Sequence, residues 1–302
     1  MEAIIYHRVD WDGYTAAAVA KMAFPDAELI GWSYGDNEPC VSKFDRVIVV
    51  DLSLSKEWML ANASKLIWID HHKNVIDALQ SDSNLFAIPG IRKDGIGACY
   101  LTWAHFFSGE CSKRNDIPMH IRLVATADVM DYTNQLAPIA LALSYMLSMD
   151  EYVPGYDPVA KLDQSKSLVR QAESLITWEA RAKWELKNGE YLEEQRALHE
   201  TALFSNAKET FIQQDGIPYH VCKVDIDGRP NACILSHLMD QTHEAFICVG
   251  DFLADKGKYK ISIRVPRNSD FDASAFCRKY GGNGHIKAAG CLMSEEEIQS
   301  LL

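Results

Sequence analysis

The chain has 302 residues, 48% hydrophobic and 24% charged, with a formal net charge of −12. That composition is ordinary for a globular protein with room for two cored domains, and it excludes a disordered chain. The acidic balance excludes a protein that coats nucleic acid through many Lys and Arg contacts to phosphates. A small anionic substrate held by metals and a few basic residues is compatible with it. The eight cysteines contain no C-x-x-C pair, which points to thiols in a reducing compartment. The start of the chain has no apolar region of signal length, and no run of ~18 apolar residues occurs. The expected location is the cytoplasm.

Residues 3–6 form an apolar run that ends in His7, Asp10 and Asp12. Gly13 then suits a tight strand-to-helix turn, and 14–23 is rich in strong helix formers until Pro25 stops it. A second strand is expected over 27–33 and a loop over 35–39. Val47-Ile48-Val49-Val50 delivers Asp51, 53–63 reads as a returning helix, and Leu66-Ile67-Trp68-Ile69 delivers Asp70-His71-His72. Continuous apolar runs with polar tips describe strands buried on both faces of a parallel sheet. A fifth short strand is expected over 85–89, and an apolar helix over 98–107 that includes Trp103 and His105. A further helix over 117–127 runs into Asp128 and Asp131, and another follows over 136–149. This alternation predicts a doubly wound α/β fold.

From 157 to 206 Lys, Glu, Gln and Arg alternate with Leu, Ile and Trp, the pattern of a helical connector. Strands are expected over 210–227, 244–253 and 258–265, with a helix near 231–241. A helix over 271–279, the run Tyr280-Gly281-Gly282-Asn283-Gly284-His285 and a short strand then close a smaller α/β domain. The expected division is 1–150, a connector over 151–205, and 206–302.

If the three apolar runs are parallel neighbours, their tips bring His7, Asp10, Asp12, Asp51, Asp70, His71 and His72 into one crevice. Four carboxylates there repel one another unless a cation neutralises them. One Asp at a strand end is as readily a helix N-cap, and one His a structural residue. Recurrence at three tips singles out a metal centre. Oxygen and imidazole donors suit Mn²⁺, Fe²⁺ or Zn²⁺, and the carboxylates outnumber the needs of one ion, which favours a two-metal site for phosphoryl chemistry.

His7-x-x-Asp10-x-Asp12-Gly13, Val50-Asp51, Asp70-His71-His72 and Ala127-Asp128 stand in the order of the four motifs of the DHH phosphoesterases. Gly281-Gly282-Asn283-Gly284-His285 with Ala288-Ala289-Gly290 is similar to the glycine-rich motif of the associated DHHA1 domain. The chain thus resembles the DHH/DHHA1 family over nearly its whole length, and most closely its nanoRNase and cyclic-nucleotide phosphodiesterase branch. The first motif is one residue shorter than in the pyrophosphatases of that superfamily, and Asn283 replaces a glycine.

The resemblance implies a DHH catalytic domain over 1–150 and a DHHA1 substrate-binding domain over 206–302. It implies two Mn²⁺ ions, with Mg²⁺, Fe²⁺ or Co²⁺ as alternatives. His7 and Asp10 would hold one ion and Asp12, His71 and Asp128 the other, with Asp51 shared. Asp131 competes with Asp128. His72 would act on the substrate phosphate or leaving oxygen, with Asp70 orienting it. Between 260 and 290 six basic side chains face only Asp270 and Asp272. The glycine amides of Gly281, Gly282, Asn283 and Gly284 would then form an anion-binding concavity, with Arg264 and His285 on the far end of a nucleotide, so that the two domains measure substrate length.

The implied reaction is hydrolysis of short oligoribonucleotides or related small nucleotides (3′-phosphoadenosine 5′-phosphate, linear or cyclic dinucleotides and mononucleotides) by metal-activated water at phosphorus. Inorganic pyrophosphatase or exopolyphosphatase activity is the second enzyme reading, and a non-catalytic nucleotide-binding protein the third. No long nucleic acid and no membrane is expected as a partner, and the apolar helices leave room for a homodimer.

Overall fold

A computed structural model of the chain describes residues 1–80, 82–107, 117–131, 133–137, 140, 207–225, 243–266 and 268–301. The connector expected over 157–206, the helix over 231–241, most of the helix over 136–149, and Arg267 lie outside the described residues. The chain divides into two compact units, Met1–Ala172 and Glu173–Leu302.

In the first unit the apolar runs are strands. β1 (Glu2–His7) lies between β2 (Glu28–Trp32) and β3 (Arg46–Val50), and β4 (Leu66–Ile69) extends the sheet beyond β3, with every pair parallel. Both faces are covered, which is why the strands lack an apolar–polar alternation. On one face Ala3, Ile5, Val47, Val49, Leu66 and Trp68 pack in a core with Met59, Leu85 and Ile88. Against the other lie α1 (Trp11–Ala23) and α5 (Ala98–Phe107), which pack on each other and on α6 (Met119–Asp128). The small side chains Ala16, Ala17, Ala18 and Ala20 of α1 are completely buried, and their size permits that close approach. Starting from β1, the chain first builds β2 on one side and then crosses to β3 on the other. The point where the strand order reverses therefore lies between the tips of β1 and β3, where open α/β sheets form their crevice.

Asp10 caps α1 through a hydrogen bond that Gly13 N donates to Oδ1 at 2.8 Å, so the helix begins at Trp11, ahead of the expected start. Gly13 serves close approach: a Cβ there would stand 2.0 Å from His7 O. Ser55 caps α2 (Lys56–Asn62), and α3 (Lys73–Gln80) follows His72.

The strand expected over 85–89 is not formed. Asp82 accepts a hydrogen bond from Asn84 N and caps a short helix, α4 (Ser83–Phe86). The strand-like segment lies just after it: Trp68 N donates to Pro89 O at 2.7 Å, Asp70 N to Ile91 O at 3.1 Å and Lys93 N to Asp70 O at 3.1 Å. This segment approaches so closely that a Cβ on Gly90, at φ +132°, would lie 1.9 Å from Trp68 O.

The second unit is a mixed six-stranded sheet: β5 (Lys208–Gln214), β6 (Ile217–Asp225), β7 (Ala245–Leu253), β8 (Lys258–Arg264), β9 (Asn283–Gly284) and β10 (Ala288–Met293). Their order is β5-β6-β7-β8-β10-β9, and only β6 and β7 run parallel. The single strand expected over 210–227 is a hairpin. Asp215 and Gly216 both take positive φ, 54° and 80°, as a tight two-residue turn requires, and Asp-Gly is the sequence signal for it. The helices α7 (Ala273–Arg278), capped by Asp272, and α8 (Glu295–Gln299) flank the sheet. Ile247, Ile261, Ile263, Phe271, Phe276, Met293 and Ile298 form the core of this unit.

Candidate metal centre

The tips of β1, β3 and β4 bring the expected side chains together. His7 ends β1, and its Nδ1 lies 2.7 Å from Asp10 Oδ2 and 3.7 Å from Asp51 Oδ2. Across Asp51, His71 Nε2 lies 3.0 Å from Asp51 Oδ1, 3.4 Å from Asp128 Oδ2 and 3.5 Å from Asp12 Oδ2. Asp51 thus joins three ligand groups, His7–Asp10–Asp51, Asp12–Asp51–His71 and Asp51–Asp70–His72. Its backbone is at φ 61°, an uncommon conformation for a residue with a Cβ. Asp51 N donates to Ile69 O at 3.0 Å, so the neighbouring strand holds the turn that places its carboxylate between the two imidazoles.

Several acids also serve the backbone. Asp10 uses Oδ1 as a helix cap and turns Oδ2 to His7. Asp12 accepts hydrogen bonds from Ala98 N at 2.5 Å and Cys99 N at 2.9 Å, so it caps the start of α5 from far away in sequence. Asp70 Oδ1 accepts from His71 N at 2.7 Å, His72 N at 3.2 Å and His72 Nδ1 at 2.7 Å. That last bond fixes the His72 ring and its tautomer.

Asp128, the last residue of α6, reaches the cluster, whereas Asp131 Oδ1 accepts from Thr133 N and Thr133 Oγ1 at 3.1 and 2.6 Å. The turn between them is a Schellman cap: Met130 has φ 50°, Met130 N donates to Ala127 O, and Asp131 N donates to Thr126 O. It points Asp128 and Asp131 to different partners. Glycine is the usual residue at that cap, so Met130 gave no signal of it in the sequence.

A cation fits this donor set. At metal–oxygen and metal–nitrogen distances near 2.1 Å, ligand atoms at right angles lie about 3.0 Å apart and those at tetrahedral angles about 3.4 Å apart. The separations around His71 Nε2 fall in this range. Asp51 Oδ2 and Asp70 Oδ2 are buried and accept no hydrogen bond among the described residues, a cost that a cation relieves at Asp51. The titration pattern is that of crowded, buried charge. Burial followed by the Asp51 carboxylate raises Asp12 to about 6. Burial followed by Asp12 lifts Asp128 well above the usual carboxylate range. Burial opposes the charged form of His7 and His71, yet the surrounding carboxylates raise both well above the ordinary imidazole value. Burial also disfavours the Asp51 carboxylate, but the neighbouring His7 and His71 imidazoles outweigh it and hold Asp51 low.

The residues expected to bind substrate lie in the second unit. Arg264 ends β8, and its Nη1 donates to Ile263 O at 3.0 Å. The glycine-rich run is a tight hairpin: Gly284 and Asn283 pair with Ala289 and Gly290. Gly281 N donates to Arg278 O, Gly282 N to Cys277 O and His285 N to Ala288 O. The amides of Gly281, Gly282 and His285 are thus engaged with carbonyls. Asn283 is not among the residues with positive φ, so the tolerance of Asn for that conformation is not what lets it replace glycine. The six described cysteines, Cys40, Cys99, Cys222, Cys248, Cys277 and Cys291, are free thiols. Among the described residues no helix is long and apolar enough to cross a membrane.

The tips of β1, β3 and β4 and the end of α6 thus bring His7, Asp10, Asp12, Asp51, Asp70, His71, His72 and Asp128 into one His/Asp site at a reversal of strand order, with Asp12, Asp51, Asp70, His71 and His72 buried. Among solved structures, the chain is similar to a pGpG-specific phosphodiesterase, PggH, from Vibrio cholerae, at 14% identity over 99% of this chain and 95% of that one, with a TM-score of 0.45. It is similar to an exopolyphosphatase-related protein from Bacteroides fragilis at 13% identity over 99% and 89%, with a TM-score of 0.45. A third similarity is to RecJ from Thermus thermophilus, in complex with Mn²⁺, at 14% identity over 99% of this chain and 50% of RecJ, with a TM-score of 0.46. No protein-family model matches the chain, and no curated protein matches it.

Proposed function

We propose that the chain is a metal-dependent phosphoesterase of the DHH type that hydrolyses short oligoribonucleotides or related small nucleotides. In this reading 1–150 is the catalytic domain, 151–205 the connector and 206–302 the DHHA1 domain. The observation that carries it is Asp51, a buried carboxylate common to three ligand groups, those of His7, His71 and His72, at the reversal point of a parallel sheet. His7, Asp10 and Asp51 would hold one divalent cation, and Asp12, Asp51, His71 and Asp128 the other, Mn²⁺ being the best candidate. Bound there, such ions lower the pKa of a water nucleophile and neutralise the oxygens of a phosphoryl group in flight.

The chain's own residues supply the rest. Asp70 is a positioning residue: it accepts the His72 Nδ1–H and so turns Nε2 to the substrate, and with His72 in its imidazolium form Nε2–H would give the proton to the leaving oxygen. Apolar burial around Asp12, Asp51 and His71 limits bulk water and strengthens each electrostatic contact. Arg264, Asn283 and His285 are assigned to the phosphate or base remote from the scissile bond. In this role Gly281, Gly282 and Gly284 shape the hairpin that presents Asn283 and His285.

The test is product analysis by mass spectrometry after incubating the Mn²⁺-loaded protein with RNA di- to heptamers, 3′-phosphoadenosine 5′-phosphate, cyclic mono- and dinucleotides and pyrophosphate. A variant carrying His71→Ala and His72→Ala is the blank. Nucleoside monophosphates released from the shortest RNAs are the expected result. Turnover of pyrophosphate alone, or of nothing, would overturn the reading.

A further inference from the structure

The second unit carries a ligand set of its own, formed by residues that no motif connects: Glu209, His220 and His243, whose donor atoms lie within 4.8 Å of one another. Glu209 is on the edge strand β5, His220 on β6, and His243 just before β7. The sheet brings them together, because Phe211 pairs with His220 and Val221 pairs with Ala245. The alternation along β6 puts His220 on the face opposite Tyr219 and Val221, whose side chains belong to the core.

His243 Nε2 lies 3.2 Å from Glu209 Oε1, at hydrogen-bond distance, and His220 Nε2 lies 3.4 Å from Glu209 Oε2. These separations are also close to the roughly 3.4 Å between donors that sit about 2.1 Å from a tetrahedral ion, so an ion can take the place of a proton between the groups. The two imidazoles are also held in place. Their ring centroids are 4.7 Å apart, Phe211 stacks on His220 at 5.1 Å and 24°, and Phe246 meets His243 edge-on at 5.3 Å. The backbones are tied by a reciprocal pair: His220 N donates to Glu244 Oε2 at 2.7 Å, and Glu244 N donates to His220 O at 2.8 Å.

We propose that Glu209, His220 and His243 are a second cation site of this protein, for a borderline transition metal with zinc as the preferred ion. Two imidazoles and one carboxylate select against Mg²⁺ and Ca²⁺, which favour oxygen, and for Zn²⁺, Ni²⁺ or Cu²⁺. The N-terminal centre, with its majority of carboxylates, is better suited to a harder ion such as Mn²⁺. Three protein ligands leave a fourth position for water, and the ion ties the edge strand β5 to β6 and to the entry of β7.

The test is zinc titration of the full chain by calorimetry, with bound zinc counted by mass spectrometry, in wild type, Glu209→Gln and the double variant His220→Gln, His243→Gln. Subtracting variant from wild type cancels whatever the N-terminal centre takes up, so the result is independent of the proposed activity. Wild type is expected to bind one zinc more than the double variant, and Glu209→Gln to bind that zinc more than about tenfold more weakly. Zinc should raise the melting temperature of wild type more than that of either variant. The Glu209 side chain is 66% exposed, so Glu209→Gln decides the question if the double variant does not fold. Equal zinc uptake and affinity in wild type and a folded variant would overturn the proposal.

Discussion

The two ligand sets are built in different ways. At the N-terminal centre the backbone does the building: Asp10, Asp12 and Asp70 each accept amide hydrogens at a helix start or strand end. A carboxylate that caps a helix is already desolvated and aimed before any ion arrives. The set on the C-terminal sheet is assembled from side chains, with aromatic rings in place of caps and Glu209 in solvent. Loss of Asp10 or Asp12 should therefore disturb fold and metal together in the first unit, and loss of Glu209 metal alone in the second.

The largest effect is expected from Asp51→Asn. Asn tolerates the left-handed backbone there, so the turn persists while the shared charge is lost. Removing about 4 kcal/mol of transition-state stabilisation lowers kcat by roughly 10³-fold, measurable as monophosphate release in Mn²⁺. His72→Gln should lower kcat by about 10²-fold or more with the metal count unchanged. Asp70→Asn, which weakens the orientation of His72, should shift the pH profile of kcat and leave KM nearly constant.

A fourth prediction concerns fold alone. Gly90→Ala places a Cβ against Trp68 O at a positive φ, and should destabilise the protein by roughly 1–3 kcal/mol in denaturant titration.

The smallest effect is one of pH, and its sign is specific. In metal-free protein His7 and His71 bind protons more tightly when folded, so their contribution is fully present below pH 6.5 and is lost as pH rises through their elevated values. Asp12, raised from 3.8 to about 6, acts in the same direction between those two values. Asp51, held low, opposes them only in acid, where its contribution is lost as pH falls from 3.8 towards its depressed value. Thermal melts in a chelator should therefore show stability falling from pH 6.5 upward. Saturating Mn²⁺ should reverse the trend, because the ligands must lose those protons to bind it.

Much of the N-terminal architecture was legible in sequence, because three continuous apolar runs ending in charge have the pattern of strands buried on both faces. His7, Asp51, Asp70 and His71 could be placed from that pattern alone. The second role of Asp12 could not, since its partners at 98 and 99 are distant in sequence and are backbone amides that leave no residue signature. The positive φ of Asp51 and the Met130 cap were equally silent, each occurring without glycine. At 85–89 apolar content suggested a strand, but the Asp82 cap made a helix and moved the strand-like pairing to the residues after it. The Asp215-Gly216 dipeptide is the signal of the turn that divides 210–227 into two strands. Glu209, His220 and His243 share no motif, and only strand register brings them together.

The most direct measurement is anomalous diffraction from crystals grown with Mn²⁺, recorded at the manganese edge. Two peaks roughly 3.5 to 4 Å apart, both bonded to the Asp51 carboxylate, are predicted. A single peak, or two peaks of which only one touches Asp51, would contradict the shared carboxylate on which the account rests.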